Sequence, residues 1–233
     1  MFGHVSLVLF LLTKTSCLNI DTIDHDGSTS LVYAISSNSV DTVNILLDNG
    51  ASVNPLSTSH HIPLCLVSKY GNLPIANLLL NRGAKLDVCD SDGLYPLHIA
   101  SRQGHDELAQ LLISHSANVE ITDEFHKWTP LFYGASEGHL NCIQVLISAN
   151  AKVDVRDNYG WLPWTYALYR GHIAVADLLV VDCAPDVHVV KQIAIPSPIG
   201  PMSLFDVPQK LTEADLDDIP TLSLPPPIMP FRI

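Results

Sequence analysis

The sequence predicts an all-α solenoid of stacked helix–turn–helix units, and three observations lead there. A break residue before an apolar helix recurs at Gly3, Asn38, Gly71, Gly104, Gly138 and Gly171, at steps of 35, 33, 33, 34 and 33 residues. Behind each break runs one apolar pattern, seen in VDTVNILL (40–47), LPIANLLL (73–80), DELAQLLI (106–113), LNCIQVLI (140–147) and IAVADLLV (173–180). Eight residues ahead of four breaks stands a proline: Pro63, Pro96, Pro130 and Pro163. A fixed period of this size marks an array in which each unit contacts only its neighbours.

Each element of the unit follows from its residues. Apolar positions at i, i+3 or i+4, and i+7 put one buried stripe on the second helix. The prolines fall at the first helical position, where a missing N–H costs nothing. Thr29 and Thr129 stand where a side chain caps the helix start. Ala34, Ala100, Gly134 and Ala167 are small enough for paired helices to approach closely. The exits GASVN (50–54), GAKLD (83–87), SANVE (116–120) and NAKVD (150–154) place Gly50 and Gly83 where a helix end favours positive φ.

The best-formed copy is DSDGLYPLHIASRQGHDELAQLLI (90–113). With its neighbours it resembles the ankyrin repeat, through Gly93, Pro96-Leu97-His98, Ala100, Gly104-His105 and Leu111-Leu112. The resemblance covers about residues 1–186 and implies five units, at about 21–54, 55–87, 88–120, 121–154 and 155–186. In this register residues 1–20 are the second half of a truncated unit, so the chain reads as a fragment. The run from Val5 to Leu12 imitates a signal peptide, but no Lys or Arg precedes it and it is too short to span a bilayer. Three units depart from the pattern. The third has His60-His61 in its turn and Val67 for Ala, which predicts local distortion. The fifth has an extra turn residue, so Phe125, His126 and Lys127 form a longer finger. The sixth has Trp164 for Leu.

Beyond 187 the period stops. Residues 193–233 hold nine prolines and the acidic Glu213, Asp215, Asp217 and Asp218, which predicts an extended proline-rich tail leading toward a further domain. The segments 123–140 and 215–233 resemble a fungal family that joins a phosphate-sensing domain, ankyrin repeats and a glycerophosphodiesterase-like region. That family includes phosphate-pathway inhibitors of cyclin-dependent kinases. The resemblance implies a regulatory array that contacts a cyclin–kinase complex. Its alternative is a spacer within a glycerophosphodiester-hydrolysing enzyme.

Composition narrows the functions further. A net charge of −12 argues against nucleic acid, which needs clustered Lys and Arg, and favours basic partners. Five cysteines, widely spaced and never in a C-x-x-C pair, predict neither a disulfide framework nor a zinc site. The absence of an N-x-[ST] acceptor agrees with a reducing compartment, the cytosol or nucleus.

His4, His105, His139 and His172 follow the breaks and His98 sits in the turn, where the resemblance implies local hydrogen bonds. The adjacent His60 and His61 side chains would diverge. No nucleophile, phosphate-loop or dinucleotide motif occurs. The sequence therefore predicts no enzyme activity, cofactor, metal, membrane association or small-molecule substrate within this chain.

What remains is a surface for protein. Repeat arrays of this kind bind through turn tips and the exposed side of the first helices. Those positions are Ser91, Asp92, Leu94, Arg102 and Gln103 in unit four. Unit five offers Phe125, His126, Trp128, Ser136 and Glu137, and unit six offers Asn158, Tyr159, Trp161, Tyr169 and Arg170. Phe125, Trp128, Tyr159, Trp161 and Tyr169 are expected to form one aromatic patch. The competing expectation is that Trp128 and Trp161 pack internally, against each other or against the tail.

Overall fold

The computed structural model describes residues 19–55 and 62–183. The truncated half unit, the His60-His61 turn and the proline-rich tail lie outside those residues. Ten helices occur among the described residues: α1 Ser30–Ser36, α2 Val40–Asp48, α3 Pro63–Tyr70, α4 Leu73–Asn81, α5 Pro96–Gln103, α6 Asp106–Ser114, α7 Pro130–Glu137, α8 Leu140–Ser148, α9 Pro163–Tyr169 and α10 Ile173–Cys183. They form two layers. The first helices α1, α3, α5, α7 and α9 pack in series, and the second helices α2, α4, α6, α8 and α10 pack in series behind them.

Four first helices begin at the expected prolines. Thr29 caps α1 by accepting the Val32 N–H at 3.4 Å. Thr129 does not cap α7: its hydroxyl is buried and has no hydrogen-bond partner. The core lies between the layers and repeats by unit, as in Leu97 with Leu108 and Leu112, or Leu131 with Ile143 and Leu146. Trp164 fills the same slot in unit six, and Val67 is fully buried in unit three.

Between the helices of a unit the chain must reverse, and the break residues do this in the left-handed region. Asn38, Gly71, Gly104, Gly138 and Gly171 have φ between 56° and 83°. At four of these breaks the next residue then donates its N–H to the carbonyl five positions back. These bonds are Ser39 to Ala34, His105 to Ala100, His139 to Gly134 and His172 to Ala167, at 2.8–3.1 Å. This is the six-to-one bond that closes a helix end. The small residues of the sequence are its acceptors. Gly134 is additionally tight, because a Cβ there would lie 3.1 Å from Ile143 Cδ1.

The histidines after the breaks join one unit to the preceding one. His105 Nε2 donates to the Lys69 carbonyl at 3.3 Å, and His139 Nε2 to the Arg102 carbonyl at 3.0 Å. These bonds cross 36 and 37 residues, which corrects the expectation of local ones. Each imidazole covers the preceding glycine. A Cβ on Gly71, Gly104 or Gly138 would come within 2.4–2.6 Å of the ring of His105, His139 or His172. At the first described junction both partners change together: Asn72 replaces histidine, Asn38 replaces glycine, and their side-chain amides bond to each other.

Candidate interaction surface

The fingers that lead into units four, five and six are set by one aspartate each. Asp90 Oδ1 accepts the N–H groups of Asp92 and Leu94 at 3.0 and 2.9 Å, while its own N–H reaches the Leu94 carbonyl. Asp157 treats Tyr159 and Trp161 in the same way, both at 2.9 Å. Such bonds give a short turn its shape without strands. Gly93 and Gly160 supply the positive φ. Finger five holds one more residue, so Asp123 bonds instead to the N–H groups of His126 and Lys127 and closes on the Trp128 carbonyl. Lys127 there adopts φ 60° without being glycine.

The second carboxylate oxygen anchors the finger to the first helix. The Tyr133 hydroxyl donates to Asp123 at 2.7 Å, and Tyr166 to Asp157 at 2.6 Å. Tyr33 does the same to Asp24. Burial and the adjacent carboxylate push the Tyr133 and Tyr166 phenols well above their ordinary range. Asp157 also accepts the Trp128 indole N–H at 3.2 Å, a bond between units. This tyrosine anchor was legible as Asp followed by Tyr nine residues on, ten in the longer finger, but sequence reasoning missed it.

Behind the fingers lies a second apolar cluster of Cys65, Leu94, Ile99, Trp128, Phe132, Tyr133 and Tyr166. Trp128 stacks on Phe132 at 5.6 Å and meets Tyr133 and Tyr166 edge-on at 5.1 and 4.7 Å. His98 is fully buried beside it. Its Nδ1 accepts the Tyr95 N–H and its Nε2 donates to the Ile121 carbonyl at 3.0 Å, which makes the ring neutral. Burial lowers its pKa to about 4.

The sequence-selected residues therefore separate. Leu94 and Trp128 are 2% and 5% exposed, so both are corrected from surface contacts to core. Leu94 is drawn in by the Asp90 turn, and Trp128 by the carboxylate of the next finger. Ser136 is buried as well. Trp161 is half-buried and rests on Tyr166 at 6.1 Å, so the aromatic residues do not form one continuous surface. Arg102 and Tyr169 are half-buried, and Arg170 faces Glu137 at 3.7 Å across units five and six.

Phe125 and Tyr159 remain open, at 63% and 55% exposed. Both sit on fixed backbone. Phe125 lies across Gly93 of the preceding finger, where a Cβ would stand 3.2 Å from its ring. Asn158 ties the next finger on, through its side chain to the Phe125 carbonyl at 2.9 Å and its N–H to the His126 carbonyl at 3.1 Å. Exposed Tyr33 and Tyr70 on α1 and α3 were not singled out by the sequence. Tyr70 borders an open groove of about 540 Å³ over Asn38 and Asn72. Among the described residues no group of three or more His, Cys, Asp or Glu is placed to hold a metal. Nor is any described helix long and apolar enough to cross a membrane.

Two layers of paired helices, left-handed breaks and hydrogen-bonded fingers define a repeat array that works as a protein-interaction module. The family model for ankyrin repeats matches residues 1–57, 64–157 and 120–191, and the chain belongs to that family. It is similar to Ankyrin repeat protein nuc-2 of Neurospora crassa, at 35% identity over 239 aligned residues covering all of this chain. The chain spans 22% of the length of that relative.

Proposed function

We propose that this chain is the ankyrin array of a larger fungal phosphate-signalling protein and that it holds a cyclin–kinase complex through its finger edge. The observation carrying the interaction surface is the pair Phe125 and Tyr159, two large exposed aromatics on turns locked to each other by Asn158. An apolar side chain already fixed in place loses little entropy when it is covered, so it contributes strongly to binding. The choice of partner rests on the resemblance of residues 123–140 and 215–233 to the fungal phosphate-pathway family. Similarity along the whole chain to a fungal ankyrin repeat protein supports that setting. Free Cys65, Cys89 and Cys142 agree with work in the cytosol or nucleus.

The test is calorimetric titration of the chain with a purified phosphate-pathway cyclin–kinase complex. Binding that falls at least about tenfold in the Phe125→Ser/Tyr159→Ser variant is the expected result. Absence of binding by the unaltered chain overturns the choice of partner and leaves the spacer role as the better reading.

A further inference from the structure

The finger edge of units four to six is acidic. The stretches 87–94, 122–128 and 154–161, which form fingers four to six and their approaches, contain Asp87, Asp90, Asp92, Asp123, Glu124, Asp154 and Asp157 against only Lys127 and Arg156. Of the two cations, Arg156 is committed within its own finger, donating to the Gly160 carbonyl at 2.7 Å. Asp92 and Glu124 are exposed, and both stand by Gly93: Asp92 precedes it in the chain, and Glu124 Cβ and the Phe125 ring lie beside it. The Tyr95 phenol is pushed upward by burial first and then by Cys89, Glu124 and Asp87, so of the two carboxylates the field of Glu124 reaches it. The exposed aromatic pair thus has a carboxylate rim at one end.

We infer that this edge is built for an extended peptide segment of a partner, with an apolar side chain seated on Phe125 and Tyr159 and basic side chains running toward Glu124 and Asp92. The inference rests on the finger edge being the interaction surface and adds the chemistry of what it takes. Three arguments select this occupant. Carboxylates beside an apolar anchor attract Lys and Arg and repel acidic chains, which sets partner choice and association rate. A second copy of this chain would set one carboxylate-rich edge against another, within a net charge of −12. A nucleic acid would meet the same repulsion at its phosphates. The anchor also needs no rearrangement, since Gly93 supports the Phe125 ring and Asn158 fixes the backbone beneath it.

The experiment selects binders from a randomised displayed peptide library on the full chain, then measures them on variants. Selected peptides are expected to pair Lys or Arg with Phe, Trp or Leu. Their affinity is expected to fall at least about tenfold with Asp92→Lys/Glu124→Lys, with Phe125→Ser/Tyr159→Ser, and between low and physiological ionic strength. Peptides that need Phe125 and Tyr159 but are neutral or acidic, and that ignore the charge reversal, overturn the inference while leaving the surface intact. Peptides indifferent to Phe125→Ser/Tyr159→Ser sink both. A selection that yields no binder counts against the inference as well. Unchanged helical circular dichroism and melting in the four substituted positions separate loss of binding from loss of fold.

Discussion

The inner wall of the finger row and its outer tip use the same residue types and differ in what stands across from them. On the wall, Trp128 meets Phe132, Tyr133 and Tyr166, and its indole N–H has the Asp157 carboxylate. At the tip, three residues earlier in the same finger, Phe125 meets Gly93 on one face and solvent on the other. The wall spends its aromatics on joining units; the tip leaves them for something else. Proximity along the chain therefore says little about role in a repeat array. The deciding neighbour is about thirty residues away: Trp128 is 29 positions from Asp157.

The sharpest test of this division is Trp128→Ala. It opens a cavity and removes a hydrogen bond, and it is expected to cost about 3–5 kcal/mol. Chemical denaturation measures this; a cost below about 1 kcal/mol would place Trp128 with the tip instead. Next comes pH. His98 on the wall is neutral when folded, with a pKa lowered from 6.5 to about 4. As pH falls below the unfolded value of 6.5, the unfolded chain takes up a proton that the folded chain refuses, so stability drops until about pH 4. The loss totals about 3 kcal/mol. His98→Gln is expected to have lower stability at neutral pH but to lack this part of the slope. A wild-type stability profile parallel to that of His98→Gln would contradict the buried neutral ring.

Two left-handed glycines, one at a break and one at a helix exit, make a matched pair. Gly104→Ala must both enter the left-handed region and displace His139, at a combined cost of about 2–3 kcal/mol. Gly50→Ala, where nothing lies within 4 Å of the new Cβ, carries only the backbone part, about 1 kcal/mol. Equal melting temperatures for the two would remove the imidazole contact from the account. Lys127→Gly relieves the strained position in finger five, offset by extra freedom in the unfolded chain, and should raise stability by ~0.5 kcal/mol. Smallest is Phe125→Ser, expected within about 0.5 kcal/mol of wild type while partner binding falls. Destabilisation comparable to that of Trp128→Ala would show that the tip is part of the fold.

Much of the architecture was legible because it is local. Proline at the first helical position, a left-handed residue at each break and an apolar stripe of helical period act within one unit, and the described helices follow them. The bonds joining units were not legible in the same way. Nothing adjacent to His105 or His139 in sequence announces a bond to a carbonyl one unit back. Thr129 shows the opposite error, a capping residue by type whose hydroxyl finds no partner. For the candidate site, Phe125 and Tyr159 were chosen on aromaticity at turn positions, and so were Trp128 and Trp161. Sequence held no means of separating them, because burial depends on what the neighbouring fingers supply, a carboxylate from the next one for Trp128 and a bare glycine from the preceding one for Phe125.

The junctions between units carry a further consequence for how such a chain can be rearranged. A glycine break accepts a histidine-bearing unit behind it, and the break at Asn38 is matched to a unit bearing Asn72. A side chain at the break would collide with an imidazole placed as His139 is. The units are thus directional parts with two incompatible couplings. Three successive glycine–imidazole joints connect units three to six. The unit whose break is Asn38 is joined instead to a successor that brings its own asparagine.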